Sequence, residues 1–340
     1  MVGAGMRVSV TDYHTAGEPF RIVTGGLPDI PGQTILERRS SAQTSPEVDA
    51  VRQLLVNEPR GHADMYGGFL VPPDDDGADL GVLFWHKDGY STACGHGTIA
   101  LGAWAVRTGR IPAAPDGDTE VVIDVPSGRV LARVTCLGGE VEQVSFRNIP
   151  AYVVARGIEV AIGRGTVRAD LSYGGALYAS VDASSVGLDV TPKNSTDLIS
   201  VGREVKWALN DTRWARHPTD SRLDGIYGTI LYDDLGGTEG GPHQRNVTIF
   251  ADGELDRSPC GSGTSARIAL LAEDGRLPIG RTLEHDSIVG TTFLGRVVEH
   301  VEADGHQAVV TEVTGAAYET GQATFTLDPR DPLGTGFVLR

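Results

Sequence analysis

Cys94-Gly95-His96-Gly97-Thr98-Ile99 and Cys260-Gly261-Ser262-Gly263-Thr264-Ser265 decide how this chain is read. Each is a thiol opening a Gly-x-Gly-Thr turn, and each runs into an apolar stretch, residues 98–106 and 265–272. They lie 166 residues apart in a chain of 340, close to half its length. Repetition at that spacing predicts a duplicated fold whose halves share one site. Residues 98–106 are apolar all round, which predicts a helix buried on every side. It stops at Gly109, with Pro112 beyond.

Outward from the first turn, residues 8–23 read as two strands joined through Ala16-Gly17-Glu18-Pro19. Residues 47–55 read as a helix, and 68–71 and 80–85 as strands either side of an acidic turn. Residues 121–125 and 130–136 read as a hairpin. The second half repeats the plan. Residues 167–179 resemble the opening strands, and Tyr227-Gly228-Thr229-Ile230-Leu231 echoes Tyr66-Gly67-Gly68-Phe69-Leu70. Residues 246–251 echo 81–85, and 295–301 with 308–313 match the hairpin. The expected division is a first lobe, 1–155, carrying Cys94, and a second, 156–340, carrying Cys260. The last strand is free to return to the first lobe. Residues 183–217 are extra, with a helix expected over 197–207.

The bulk properties exclude several classes. A formal net charge of −16 argues against a nucleic-acid partner, because phosphate binding needs clustered Lys and Arg. No apolar run reaches the roughly 18 residues of a membrane span, and residues 1–10 lack the pattern of a secretory signal. Three cysteines, Cys94, Cys136 and Cys260, do not make a disulfide framework and fit a reducing cytoplasm.

A thiol acts as a base only as thiolate, with a free pKa of about 8.5. A helix N-terminus offers partial positive charge and unpaired amides, which predicts lowered thiol pKa values at Cys94 and Cys260. Two facing helix starts also cradle a carboxylate. His96 and Asp256 are placed to position a thiol or hold an ammonium group. Two thiols across a substrate suit proton transfer at a carbon beside a carboxylate, and no cofactor is needed. The turns lack the Lys of a P-loop and the downstream acid of a dinucleotide fingerprint.

Blander roles compete. Cys136 lies in an alternating strand and reads as core. Zinc held by Cys94, His96 and Cys260 is a poor match to Cys-x2-Cys spacing, so no metal is expected. A Cys94–Cys260 disulfide reads as an oxidised dead end. His14, His62 and His217 lie beside turn residues and are weaker site candidates. The run 74–76 reads as a solvated loop.

With those residues in hand, the chain resembles the proline racemase family. The likeness covers nearly the whole chain: both thiol turns, Asp256-Arg257-Ser258-Pro259, His14-Thr15-Ala16-Gly17-Glu18-Pro19, Glu58-Pro59-Arg60-Gly61-His62, Tyr173-Gly174-Gly175 and Asp331-Pro332-Leu333. The resemblance implies an α/β (α+β) diaminopimelate-epimerase-like fold. Its two pseudo-symmetric lobes are each a barrel-like sheet around a central helix. It implies no cofactor and no metal. Cys94 and Cys260 would be the acid/base pair. Gly95, His96, Gly261 and Ser262 would bind mainly the substrate carboxylate, and Asp256 the ring nitrogen of proline or a hydroxyproline.

Three activities occur in that family: proline racemase, 4-hydroxyproline 2-epimerase and trans-3-hydroxy-L-proline dehydratase. Gly89-Tyr90-Ser91, His217-Pro218, residues 227–231 and Ala266-Arg267-Ile268-Ala269-Leu270 look most like the dehydratases. Ser91 stands where racemases and epimerases commonly carry an apolar residue, so it is the expected specificity residue. Cys260 stands where dehydratases commonly carry Thr, which keeps racemisation chemically open. The leading expectation is a dehydratase giving Δ1-pyrroline-2-carboxylate and water, with Cys94 taking the Cα proton and Cys260 protonating the departing hydroxide. The alternative is the racemase or epimerase. A non-catalytic amino-acid-binding protein is the remote third, and two intact thiols argue against it. A monomer and a homodimer are equally compatible with the chain.

Overall fold

The computed structural model describes residues 5–339. Its strands form one continuous sheet wrapped around two central helices. The first hairpin, Arg7–Thr15 and Glu18–Gly25, closes through Ala16 and Gly17, both at positive φ (52° and 98°). That is the backbone of a two-residue turn matched to strand twist. Two helices, Ile35–Thr44 and Pro46–Val56, then carry the chain across to strand Gly67–Val71, which runs parallel to Glu18–Gly25.

Both thiol turns occupy the same topological place. Strands Leu80–His86 and Gly117–Val125 are parallel, and the chain between them contains helix Gly95–Arg107. Strands Pro242–Phe250 and Leu283–Ser287 are also parallel, and helix Gly261–Glu273 lies in their crossover. Parallel strands cannot be joined by a tight turn, so each pairing requires a long crossover. The crossover puts a helix N-terminus beyond the carboxyl end of its strand, where open α/β sheets bind ligands.

Gly95 through Ala105 are all buried, as the all-round apolar sequence predicts. The surrounding core includes Phe84, Val121, Ile123, Ala132, Val134, Val144 and Cys136. Each large side chain fully withdrawn from water there contributes roughly 1.5–3 kcal/mol. A second core joins Leu171, Val181, Val201, Val205 and Ile249. Helix Ser195–Asn210 supplies two of these, so the expected 197–207 helix exists and is longer at both ends.

The expected division at 155 falls inside a single strand, Ala151–Ile162. The closing strand Ala317–Thr326 pairs with Arg7–Thr15 from Arg7↔Thr326 to Thr15↔Ala317. One helix escapes sequence periodicity. Ile35–Thr44 is mostly polar, and it starts on Asp74, whose Oδ1 accepts the Ile35 N–H at 2.6 Å. Asp75 accepts from Arg129 at 2.7 Å. The acidic turn is therefore an anchor and not merely a solvated loop.

Candidate active site

The two thiol helices meet head to head. A Cβ built on Gly95 would lie 2.5 Å from the Gly261 Cα, and one on Gly261 would lie 2.6 Å from the Gly95 Cα. Glycine is thus required at both positions by mutual contact. Two positive helix ends this close repel unless an anion lies against them.

The cysteines begin those helices in different conformations. Cys94 is extended, and its Sγ accepts the Gly97 N–H at 3.2 Å as a side-chain cap. Its Sγ also lies 3.5 Å from both ring nitrogens of His96. Cys260 has φ 64° and makes no cap bond. A non-glycine residue there stores roughly 1–3 kcal/mol of backbone strain, a cost found most often at functional sites. Its conformation is held by Asp256-Arg257-Ser258-Pro259. Ser258 Oγ accepts the Cys260 N–H at 3.0 Å and donates to Asp256 Oδ1 at 2.7 Å.

Both thiols are buried, and burial raises both pKa values. For Cys94 the Gly97 amide opposes burial, while Asp256 and Cys260 add to it. For Cys260, Asp256 again adds. The lowered values expected at helix starts are therefore corrected. Desolvation by burial outweighs the amides and the helix dipole.

The sequence-predicted groups converge here. His96 is buried, with its ring 5.0 Å from that of Tyr66 and 5.9 Å from that of Phe20. Burial drops its pKa to about 3, so the ring is neutral. The Asp256 carboxyl is pushed up to about 6, mainly by burial and against its two Ser258 bonds. Ser262 exchanges a 2.7 Å hydrogen bond with the Tyr178 hydroxyl, which lies 3.9 Å from Cys260 Sγ. Ser91 is buried and shares a very short hydrogen bond with the Tyr66 hydroxyl.

Residues beyond the expected set complete the chamber. Tyr66 Oη lies 3.1 Å from Tyr227 Oη, and Phe250 stacks on Tyr227 at 5.7 Å. Both tyrosines open the echoed five-residue segments, so the duplication itself was the signal for them. Glu18 is fully buried; its Oε2 accepts the Arg257 N–H at 2.7 Å while Oε1 has no partner. Burial, then the charge of Asp256, pushes its pKa well up. Its only signal was its place in the 14–19 motif.

Other candidates lie elsewhere. His14 Nδ1 accepts the Gly17 N–H at 3.3 Å in the hairpin turn. His62 Nδ1 accepts the Asp64 N–H at 3.3 Å. His217 packs on Tyr173 and lies 3.8 Å from Asp304. All three cysteines are free, and Cys136 faces the first core. Among the described residues, the group whose ligand atoms gather within 4.8 Å is His86, Asp88 and Glu254, not the two thiols with His96. That trio already holds the Lys87 ammonium, 2.9 Å from Asp88 and 3.9 Å from Glu254. It lies beside a cleft of about 480 Å³ whose wall includes Ser91, Tyr227, Lys206 and Trp207.

Comparison with known proteins agrees with this geometry. The family model described as proline racemase matches residues 10–338. The chain is 43% identical over 328 residues to the trans-3-hydroxy-L-proline dehydratase of Bacillus cereus, covering 96% of this chain and 97% of that protein. It is 38% identical over 334 residues to the proline racemase of Clostridioides difficile, covering 98% of each. A crystal structure of a hydroxyproline epimerase from Agrobacterium vitis, with bound trans-4-hydroxy-L-proline, superposes with a TM-score of 0.90 at 30% identity. The match covers 98% of this chain and 96% of that one. No described helix is long and apolar enough to cross a membrane.

Proposed function

This chain is an enzyme of the proline racemase family, and we propose that it is a cofactor-independent trans-3-hydroxy-L-proline dehydratase. The observation that carries this is the Tyr66–Ser91 hydroxyl pair in the wall beside Cys94. A wall built to hydrogen-bond a substrate hydroxyl discriminates strongly against analogues lacking it.

The substrate carboxylate lies against the first amides of both helices, with Ser262 beside it, and answers the repulsion between their ends. The ring ammonium lies on Asp256. Its positive charge near the thiols favours the thiolate. Cys94 takes the Cα proton, C2=C3 forms, and the 3-hydroxyl departs as water. The enamine product then tautomerises to Δ1-pyrroline-2-carboxylate. Preorganised amides stabilise the charge that develops on the carboxylate as Cα is deprotonated. Three unpaired cysteines suit a reducing compartment, and we place the enzyme in the cytoplasm.

Cys260 favours a second activity. A thiol on the other side of the chamber is the equipment for inversion at Cα, so proline racemase or 4-hydroxyproline 2-epimerase is the competing function. The test is incubation with trans-3-hydroxy-L-proline, L-proline and trans-4-hydroxy-L-proline, following pyrroline formation and optical rotation. Pyrroline from the first substrate is expected. Inversion of the others without pyrroline overturns the assignment.

A further inference from the structure

The dehydratase assignment, on which this inference rests, carries a stereochemical demand. In trans-3-hydroxy-L-proline the 3-hydroxyl is trans to the carboxylate, so it shares a ring face with the Cα hydrogen. Elimination of water is therefore syn. The base and the acid that serves the leaving oxygen must stand on one face. A thiol on the far face is excluded from that acid role, so the expectation that Cys260 protonates the hydroxide does not hold.

The Cys94 side holds a proton donor. Tyr66 is almost wholly buried, and its ring packs on His96, whose nitrogens touch the Cys94 sulfur. Its hydroxyl is fixed between Ser91 Oγ, three residues before Cys94, and Tyr227 Oη. The Cys94 charge pushes the Tyr66 pKa up, and hydrogen bonding from Tyr66 opposes the rise at Cys94. On the other side, the phenol near Cys260, Tyr178, is engaged by Ser262 within the carboxylate cradle. The two thiols thus have differently committed phenols.

We infer that Tyr66 is the general acid of the elimination, with Ser91 and Tyr227 as positioning residues for its hydroxyl. The Cys94 thiolate takes the Cα proton, breaking C–H and making S–H. That electron pair forms C2=C3 as the C3–O bond breaks. The Tyr66 O–H passes its proton to the departing oxygen, giving water. The Cys94 S–H then returns its proton to the Tyr66 phenolate. That transfer runs downhill, since a thiol is ordinarily more acidic than a phenol. Thiolate and phenol are both restored, and no oxidant, metal or second thiol enters the balance.

The experiment compares trans-3-hydroxy-L-proline with trans-3-fluoro-L-proline, whose fluoride leaves without needing a proton. Tyr66→Phe is expected to slow pyrroline formation from the hydroxy substrate by about 100-fold or more, the usual reach of general acid catalysis. Fluoride release should fall less than about tenfold. Ser91→Ala should show the same selectivity with a smaller loss, which covers the case of a misfolded Tyr66→Phe. Equal losses on both substrates, or unimpaired dehydration, overturn the role of Tyr66. If the unaltered enzyme releases fluoride but never dehydrates the hydroxy substrate, the dehydratase assignment fails and takes this inference with it.

Discussion

The phenol oxygens of Tyr66 and Tyr227 stand 3.1 Å apart, although they come from opposite halves of the chain and open matching strand segments. The two halves therefore meet at their own equivalent residues, as they do at Gly95 and Gly261. Their side chains have diverged around that meeting point. Tyr66 bonds to Ser91 beside one thiol, while Tyr178 bonds to Ser262 beside the other.

Cys94→Ala should remove pyrroline formation and Cα exchange together, by at least about 1,000-fold, because it deletes the base. Cys260→Ala should separate them. Dehydration should fall less than about tenfold, while any inversion at Cα drops by about 1,000-fold. Proton NMR in deuterated water, recording Cα exchange beside product formation, checks both. Equal collapse of both reactions in Cys260→Ala would return Cys260 to the elimination.

The pH profile should report Asp256. Its carboxyl is raised to about 6, and only the ionised form holds the substrate ammonium. Accordingly kcat/KM should climb with pH through about 6 and level above it. Asp256→Asn should flatten that limb and raise KM. Folding stability runs the other way. A carboxyl with a folded pKa above its unfolded value near 3.9 stabilises at low pH, and that contribution is lost as pH rises through about 6. Urea midpoints between pH 4 and pH 7, with and without Asp256→Asn, isolate it.

Gly95→Ala places a methyl 2.5 Å from the Gly261 Cα. The helix starts must separate or the strain must remain. We expect affinity for pyrrole-2-carboxylate, a planar anion, to fall more than about tenfold by calorimetry, since the amide cradle is opened. Wild-type affinity in this variant would show that the two helix starts do not bind the anion jointly.

Asp74→Ala should lower stability by about 1 kcal/mol, the usual cost of losing an acceptor at a helix start. Activity should fall less than stability, because Ile35 and Ala42 of the helix it anchors pack in a core apart from Cys94, although Arg39 on that helix donates to the Tyr90 carbonyl beside Ser91. Chemical denaturation monitored beside turnover separates the two effects.

The two thiol turns were legible because a backbone that approaches another backbone needs glycine, and the spacing records the duplication. Asp256 was legible from its place on the same turn as Cys260. Tyr66 and Tyr227 were marked only by the echo between the halves, and Glu18 only by its place in the 14–19 motif; none carried a local chemical pattern, and the tyrosines meet through folding of distant segments. The pKa direction of the thiols also escaped. A helix start can be read from sequence, whereas the depth of its burial depends on how the two halves close. Helix Ile35–Thr44 lacked periodicity because it is mostly polar and buries few side chains, Ile35, Arg38 and Ala42; its local cap Thr34 is joined by Asp74 from a distant turn.

The pairing of Ala317–Thr326 with Arg7–Thr15 has a consequence for how the protein is made. During synthesis the first strand is made long before its partner, because nearly the whole sheet lies between them in the chain. Until then the first lobe carries an open, hydrogen-bond-hungry edge, a template for association with other nascent chains. Loss of Ala317–Thr326 would leave that edge open for good, so its removal should cost solubility before it costs chemistry.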